Sequence, residues 1–230
     1  MTVSMQFEAG GQPISGAGGP ITEQILPGFA DLGQNSFYEY GAVEGVPRIL
    51  DLLDRHDIKM TSFMIGDAVR RHPHVAAEIV QRGHEAGAHG RSWQRQYLLP
   101  RPQEREWIAD SVEVIEQATA CSRPGGSSRN PSSWSISSDY EQQMIDEFAQ
   151  LYAEGTSRRR MMVIGLHERP SGHASRVRVL DRTFTRLRQC DDVWWARKDQ
   201  IAQWMLDRPD TAPWVERDSA PVSRLPGRSS

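Results

Sequence analysis

Short apolar runs suited to strands alternate with stretches of helical periodicity along nearly the whole chain, and this alternation constrains the fold more than any other feature. Residues 3–7 form a β-prone run stopped by Gly10 and Gly11, and a Gly/Pro-rich stretch to about Gly33 reads as a long functional loop. Ile49, Leu50 and Leu53 recur at helical spacing behind Pro47, and residues 58–65 follow as a strand. Val75, Ile79 and Val80 mark a helix ending at Gly83, with a short buried strand at 84–89. Trp107, Ile108, Val112 and Ile115 carry the next helix, and Tyr140, Met144, Phe148, Leu151 and Tyr152 line another, closed by Gly155. An apolar strand at 161–166, a helix through Val177, Leu180, Phe184 and Leu187, a strand at 193–196 and a helix through Ile201, Trp204 and Met205 complete the pattern. Strands that read as apolar on both faces, alternating with helices, predict an α/β fold with a parallel sheet, open or closed into a barrel.

The alternation breaks once. The segment CSRPGGSSRNPSSWSISSD, residues 121–139, holds no credible strand, and two helices in a row joined this way cannot continue a right-handed strand–helix–strand winding. With 230 residues and 38% hydrophobic content, the chain supports one sizeable core. We assign one domain to 1–206 and a loosely attached tail, rich in proline and charge, to 207–230. Lys and Arg number 27 against 30 acidic residues, so no basic excess points to nucleic acid as a partner. Cys121 and Cys190 form no metal or redox cluster, and no basic leader or membrane-length apolar run is found. These features predict a soluble, cytoplasmic protein with no membrane partner.

In parallel α/β folds, ligands gather at the carboxyl ends of strands. The polar residues at those positions are Glu8 after the first strand, His89 and Gly90 after the third, and His167, Glu168 and Arg169 after the apolar run at 161–166. Singly, each has an ordinary structural explanation. Together, a carboxylate and two imidazoles at one mouth supply a base, an acid and an orienting group for hydrolysis. Glu85, inside a buried strand, reads as structural, and Arg158, Arg159 and Arg160 read as a solvated turn.

The stretch GVPRILDLLDRHDIKMTSFMIGDAVRRHPHVAAEIVQRGHEAGAHGRSW resembles the polysaccharide deacetylase (NodB homology) family in the order and spacing of strand, helix, Gly-His-Glu turn and following histidine. LHERPSGHASRVRVLD and VWWARKDQIAQW look like the closing segments of its allantoinase-like and cyclic-imide-hydrolase-like subgroup. The resemblance implies a NodB-type parallel (β/α) barrel, incomplete because strands are missing between residues 121 and 139. It also implies hydrolysis of a carbon–nitrogen bond other than a peptide bond, in a small amide, imide or N-acetyl sugar, related by family to carbohydrate metabolism. Glu8 takes the base position, His167 the late Leu-x-His position of the general acid, and Arg123 the arginine that orients the base. Trp93 and Arg169 are assigned substrate-binding or orienting roles.

Metal-dependent members of the family carry two adjacent aspartates and a His-x-x-x-His motif. Here Ala9 and Trp93 stand at two of the ligand positions, and His89 is the only one retained. A single imidazole does not hold a catalytic zinc, which normally has three protein ligands. The resemblance therefore implies no firmly bound cofactor, with zinc held weakly at most. The alternative reading is a catalytically impaired relative that serves as a binding protein, or a truncated gene product. An incomplete barrel further predicts low stability and homo-oligomers formed through exposed sheet edges.

Overall fold

The computed structural model describes residues 1–13, 15, 28–93, 98–120 and 138–208. Its elements run β1 (Thr2–Phe7), α1 (Leu32–Tyr40), a π-helical turn (Gly41–Gly45), α2 (Val46–Arg55), β2 (Thr61–Met64), α3 (Gly66–Arg71), α4 (Pro73–Gln81) and β3 (Glu85–Ala88). They continue with α5 (Arg101–Ala120), α6 (Ser138–Gly155), β4 (Val163–His167), α7 (Glu168–Ser171), α8 (Ala174–Leu187) and α9 (Lys198–Leu206). Among the described residues the strands form one four-stranded sheet in the order β3-β2-β1-β4, every pair parallel.

Local chemistry accounts for the helix ends. Asp31 caps α1 by accepting from the Gln34 amide at 2.9 Å, and proline occupies the first turn of both α2 and α4. After α4 the chain reverses through Gly83 at φ +83°, a left-handed position that glycine tolerates. The sequence missed α1, the π-helical turn, α3 and α7, because these short segments show no long apolar stripe.

The two faces of the sheet differ. Val3, Met5, Phe7, Met64, Ile164 and Leu166 face the helices, where Ile49, Leu53, Ile79, Leu180 and Phe184 complete the buried core. The register pairs Ser4 with Thr61 and Gly165, Gln6 with Phe63 and His167, and Thr61 with Glu85. These residues share the other, inner face, which apart from Phe63 is small or polar, contrary to the expectation of strands apolar on both sides. Val163, an aliphatic residue on this face, is 44% exposed.

A second correction concerns residues 193–196, which form no strand. They cross the amino-terminal edge of the sheet, where the Met1 amino group donates to Trp194 O at 2.5 Å and the Ala196 amide donates to Met1 O at 3.0 Å. Two further amides in the next turn, Lys198 and Asp199, donate to Thr61 Oγ1 at 2.9 Å and Glu85 Oε2 at 3.1 Å. The apolar run serves packing, with Trp195 edge-on to Phe184, and its backbone is satisfied by caps to the sheet rather than by a ladder. Glu85 is thus paired, in keeping with a structural role.

The strand-free segment lies outside the described residues over 121–137, as do Arg123 and Cys121, and so does the tail from 209 onward. Among the described residues, no helix is long and apolar enough to cross a membrane.

Candidate active site

Side chains along a strand alternate between faces, so a residue two positions beyond an inner-face residue projects from the same face at the strand end. Glu8 lies two beyond Gln6, His89 two beyond Gly87, and His167 is itself the register partner of Gln6. The three predicted residues therefore meet at the carboxyl edge of the sheet. His167 Nδ1 lies 3.1 Å from Glu8 Oε2, and His89 Nε2 lies 3.7 Å from Glu8 Oε1. The carboxylate is 7% exposed and each imidazole 47%, so the histidines form the solvent-facing wall.

Turns next to the strands hold this arrangement. The His89 amide extends the ladder by donating to Met64 O at 2.8 Å, and Gly90, at φ +83°, then turns the chain away. Trp93 is tied back by its amide to Gly11 O at 3.0 Å. Helix α7 begins directly after β4 and buries Glu168 and Arg169 beneath the site. The Arg169 guanidinium bridges two carboxylates, with Nη2 donating to Glu8 Oε2 at 3.1 Å and Nη1 to Glu168 Oε1 at 3.2 Å. Glu168 Oε1 also accepts from the Glu8 amide at 3.2 Å. The guanidinium lies over the Tyr38 ring at 4.2 Å and the Trp93 ring at 5.4 Å, and the two rings meet edge to face.

Such close approach requires glycine opposite α7. A Cβ on Gly45 would lie 2.1 Å from Glu168 O, and one on Gly41 would lie 2.6 Å from Glu168 Cγ and 2.8 Å from Arg169 Cγ. The π-helical turn carries these two glycines, and π-turns recur at functional sites.

Electrostatics separate the acids and bases. Burial alone would raise the Glu8 carboxyl, but the hydrogen bond from His167 and the Arg169 charge outweigh it and hold the group below its ordinary value. The same hydrogen bond, opposed by partial burial, raises His167. Glu168 is fully buried, and desolvation pushes it up to about 7 despite the neighbouring guanidinium.

Of the predicted site residues, Glu8, His89, His167, Trp93 and Arg169 come together, while Arg123 lies outside the described residues. Sequence reasoning left Glu168, Tyr38 and the Gly41/Gly45 pair out of the site. The four-residue spacing of those glycines was the available signal. Glu8, His167 and Glu168 each offer a ligand atom within 4.8 Å of the others, the spacing of a metal centre. The residues nevertheless fit a divalent ion poorly, because Arg169 donates to one oxygen of each of the two carboxylates and already supplies a fixed positive charge beside them. At the two other positions where the family keeps ligands stand Ala9 and Trp93.

A carboxylate and two histidines at the carboxyl edge of a parallel α/β sheet supply groups that can act as base and acid. The polysaccharide deacetylase family matches residues 36–145. A putative polysaccharide deacetylase of Schizosaccharomyces pombe is 25% identical over 245 residues, spanning 76% of this chain and 77% of its own length. Among solved structures, a Puue allantoinase aligns with a TM-score of 0.77 at 25% identity, covering 90% of each chain. A probable polysaccharide deacetylase of Pseudomonas aeruginosa PAO1 aligns with a TM-score of 0.77 at 24% identity, over 90% of this chain and 91% of its own. Residues 36–145 thus match a polysaccharide deacetylase domain, the described residues have a NodB-type α/β fold, and these likenesses support a deacetylase-like hydrolase of carbon–nitrogen bonds.

Proposed function

We propose that the chain hydrolyses a small linear or cyclic amide, with Glu8 as the base, His167 as the acid and His89 as the partner that steers the attacking water. The contact between Glu8 Oε2 and His167 Nδ1 at 3.1 Å carries this reading, because it lowers the carboxyl and raises the imidazole. Near neutral pH the pair is thus in the carboxylate and imidazolium forms that a base and an acid require.

Oε1 of Glu8 is the oxygen that neither His167 nor Arg169 engages, and its 3.7 Å separation from His89 Nε2 lets one water oxygen lie within reach of both. That water attacks the carbonyl carbon and its proton passes to Oε1. The carbon–nitrogen bond then breaks and the nitrogen takes a proton from His167 Nε2, so that a linear amide leaves as an acid and an amine and a cyclic one as a single ring-opened product bearing both groups. A carboxylate held below its ordinary pKa is a weaker base, so the rate relies on placing the water correctly.

No firmly held metal enters this scheme. The likeness to an allantoinase favours a cyclic ureide or imide over an N-acetyl sugar as substrate. The test is turnover of allantoin, small cyclic imides and N-acetylated sugars by the purified chain, with and without zinc, beside Glu8→Gln. Hydrolysis of a cyclic substrate without zinc, abolished in Glu8→Gln, is expected. Equal rates for the variant and its parent, or turnover only with zinc, would remove the reading.

A further inference from the structure

Each of the two carboxylates in the candidate ligand group gives one oxygen to a cation that belongs to the chain, while Glu8 Oε1 and the buried Glu168 Oε2 accept nothing from it. Arg169 is 9% exposed at its side chain and enclosed by the Tyr38 and Trp93 rings. It donates to Glu8 Oε2 and Glu168 Oε1, and the ligand group of Glu8, His167 and Glu168 draws on the same carboxylates. A guanidinium does not deprotonate in a protein, so a divalent ion among these ligands would face a fixed positive charge at close range.

We propose that Arg169 is the resident cation of this site: a positioning residue that orients Glu8 by bridging it to Glu168, and whose presence excludes a divalent ion from the Glu8, His167 and Glu168 ligand set. Removing the guanidinium while keeping its length turns that ligand set into a metal site. The positioning half rests on the reading of Glu8 as the reacting carboxylate; the exclusion half rests on geometry alone.

The test uses the full chain and zinc itself, with affinity measured by competition against a chromophoric chelator and folding checked by circular dichroism. The parent and His167→Ala should bind zinc equally poorly. Arg169→Met should bind one zinc at least about 10-fold more tightly, as expected when a like charge is removed from beside the ion. Arg169→Met combined with His167→Ala should lose that gain. Stoichiometric zinc in the parent that weakens in His167→Ala, or a folded Arg169→Met with no gain, overturns the proposal.

Should Arg169→Met fail to fold, Arg169→Lys decides. It keeps the charge but cannot bridge both carboxylates, so zinc exclusion should persist while the acid limb of the kcat/KM profile moves to higher pH. An unmoved profile, or zinc binding by the lysine variant, overturns the proposal. If no substrate is turned over, the hydrolytic reading fails on its own, and the zinc affinities of parent and variants still decide the exclusion.

Discussion

The two flanks of Glu8 are built differently. On the β4 side, His167, Arg169 and Glu168 engage the residue through three contacts of 3.1 to 3.2 Å, two of them to a single carboxylate oxygen. On the β3 side, half-exposed His89 stands 3.7 Å away, beyond hydrogen-bonding distance. The first flank sets the ionisation and orientation of the carboxylate; the second leaves room for a reacting molecule. A hydrolytic site needs both, since a base gripped on every side could not take a proton, and one free on every side would not be aimed.

The largest expected effect comes from removing the group the flanks share. Glu8→Gln keeps shape but not charge, and kcat/KM should fall about 1000-fold, roughly 4 kcal/mol, with little change in the circular dichroism spectrum. Retained activity would show that the two flanks do not serve Glu8.

Next is the locked flank's own cost. Glu168 has a folded pKa raised to about 7 from 4.5, so the folded state binds more protons than the unfolded state between those values. The stability linked to this group is fully present below 4.5 and lost as pH rises through about 7, a change of roughly 3 kcal/mol. Glu168→Gln keeps the acceptor that serves Arg169 and the Glu8 amide but has no titration. Urea unfolding at about pH 5 and about pH 8 should therefore show the variant gaining on the parent at the higher value. Parallel curves would mean that Glu168 is not kept neutral by burial.

Gly45→Ala attacks the same flank from behind. Its Cβ would meet Glu168 O at 2.1 Å, so α7 must shift, at a cost of about 2 kcal/mol, read as a lower denaturation midpoint. A neutral result would show that the π-helical turn and α7 part easily. The smallest effect belongs to the open flank, where His89→Gln should cost about 10-fold in kcat/KM, roughly 1.4 kcal/mol, and leave stability unchanged. His167→Ala should cost more than that, because it removes both the acid and a Glu8 contact.

Much of this molecule was legible as pattern. Helices with a clear apolar stripe, such as α2 and α8, follow from periodicity because one face must be buried whatever its partner. Glu8, His89 and His167 were legible because a residue just past a parallel strand has few places to point. The run at 193–196 misled because apolar content reports burial without reporting which backbone groups pair, and here the pairing is with the ends of other strands. The inner face misled for a related reason: Thr2, Ser4 and Thr61 are buried as strand residues should be, but burial does not require an apolar side chain.

What the sequence determined by itself was therefore the alternation of strand and helix, the resemblance to the polysaccharide deacetylases, and the three residues at one edge, all of which depend on local order along the chain. The tertiary structure alone decided that Arg169 lies between two carboxylates separated by 160 positions in the chain, that Glu168 is buried beneath them, and that Gly41 and Gly45 make room for both. The physical reason is that charge, burial and close approach are properties of neighbours in space. No periodicity reveals that a guanidinium will lie between two carboxylates at the edge of the sheet.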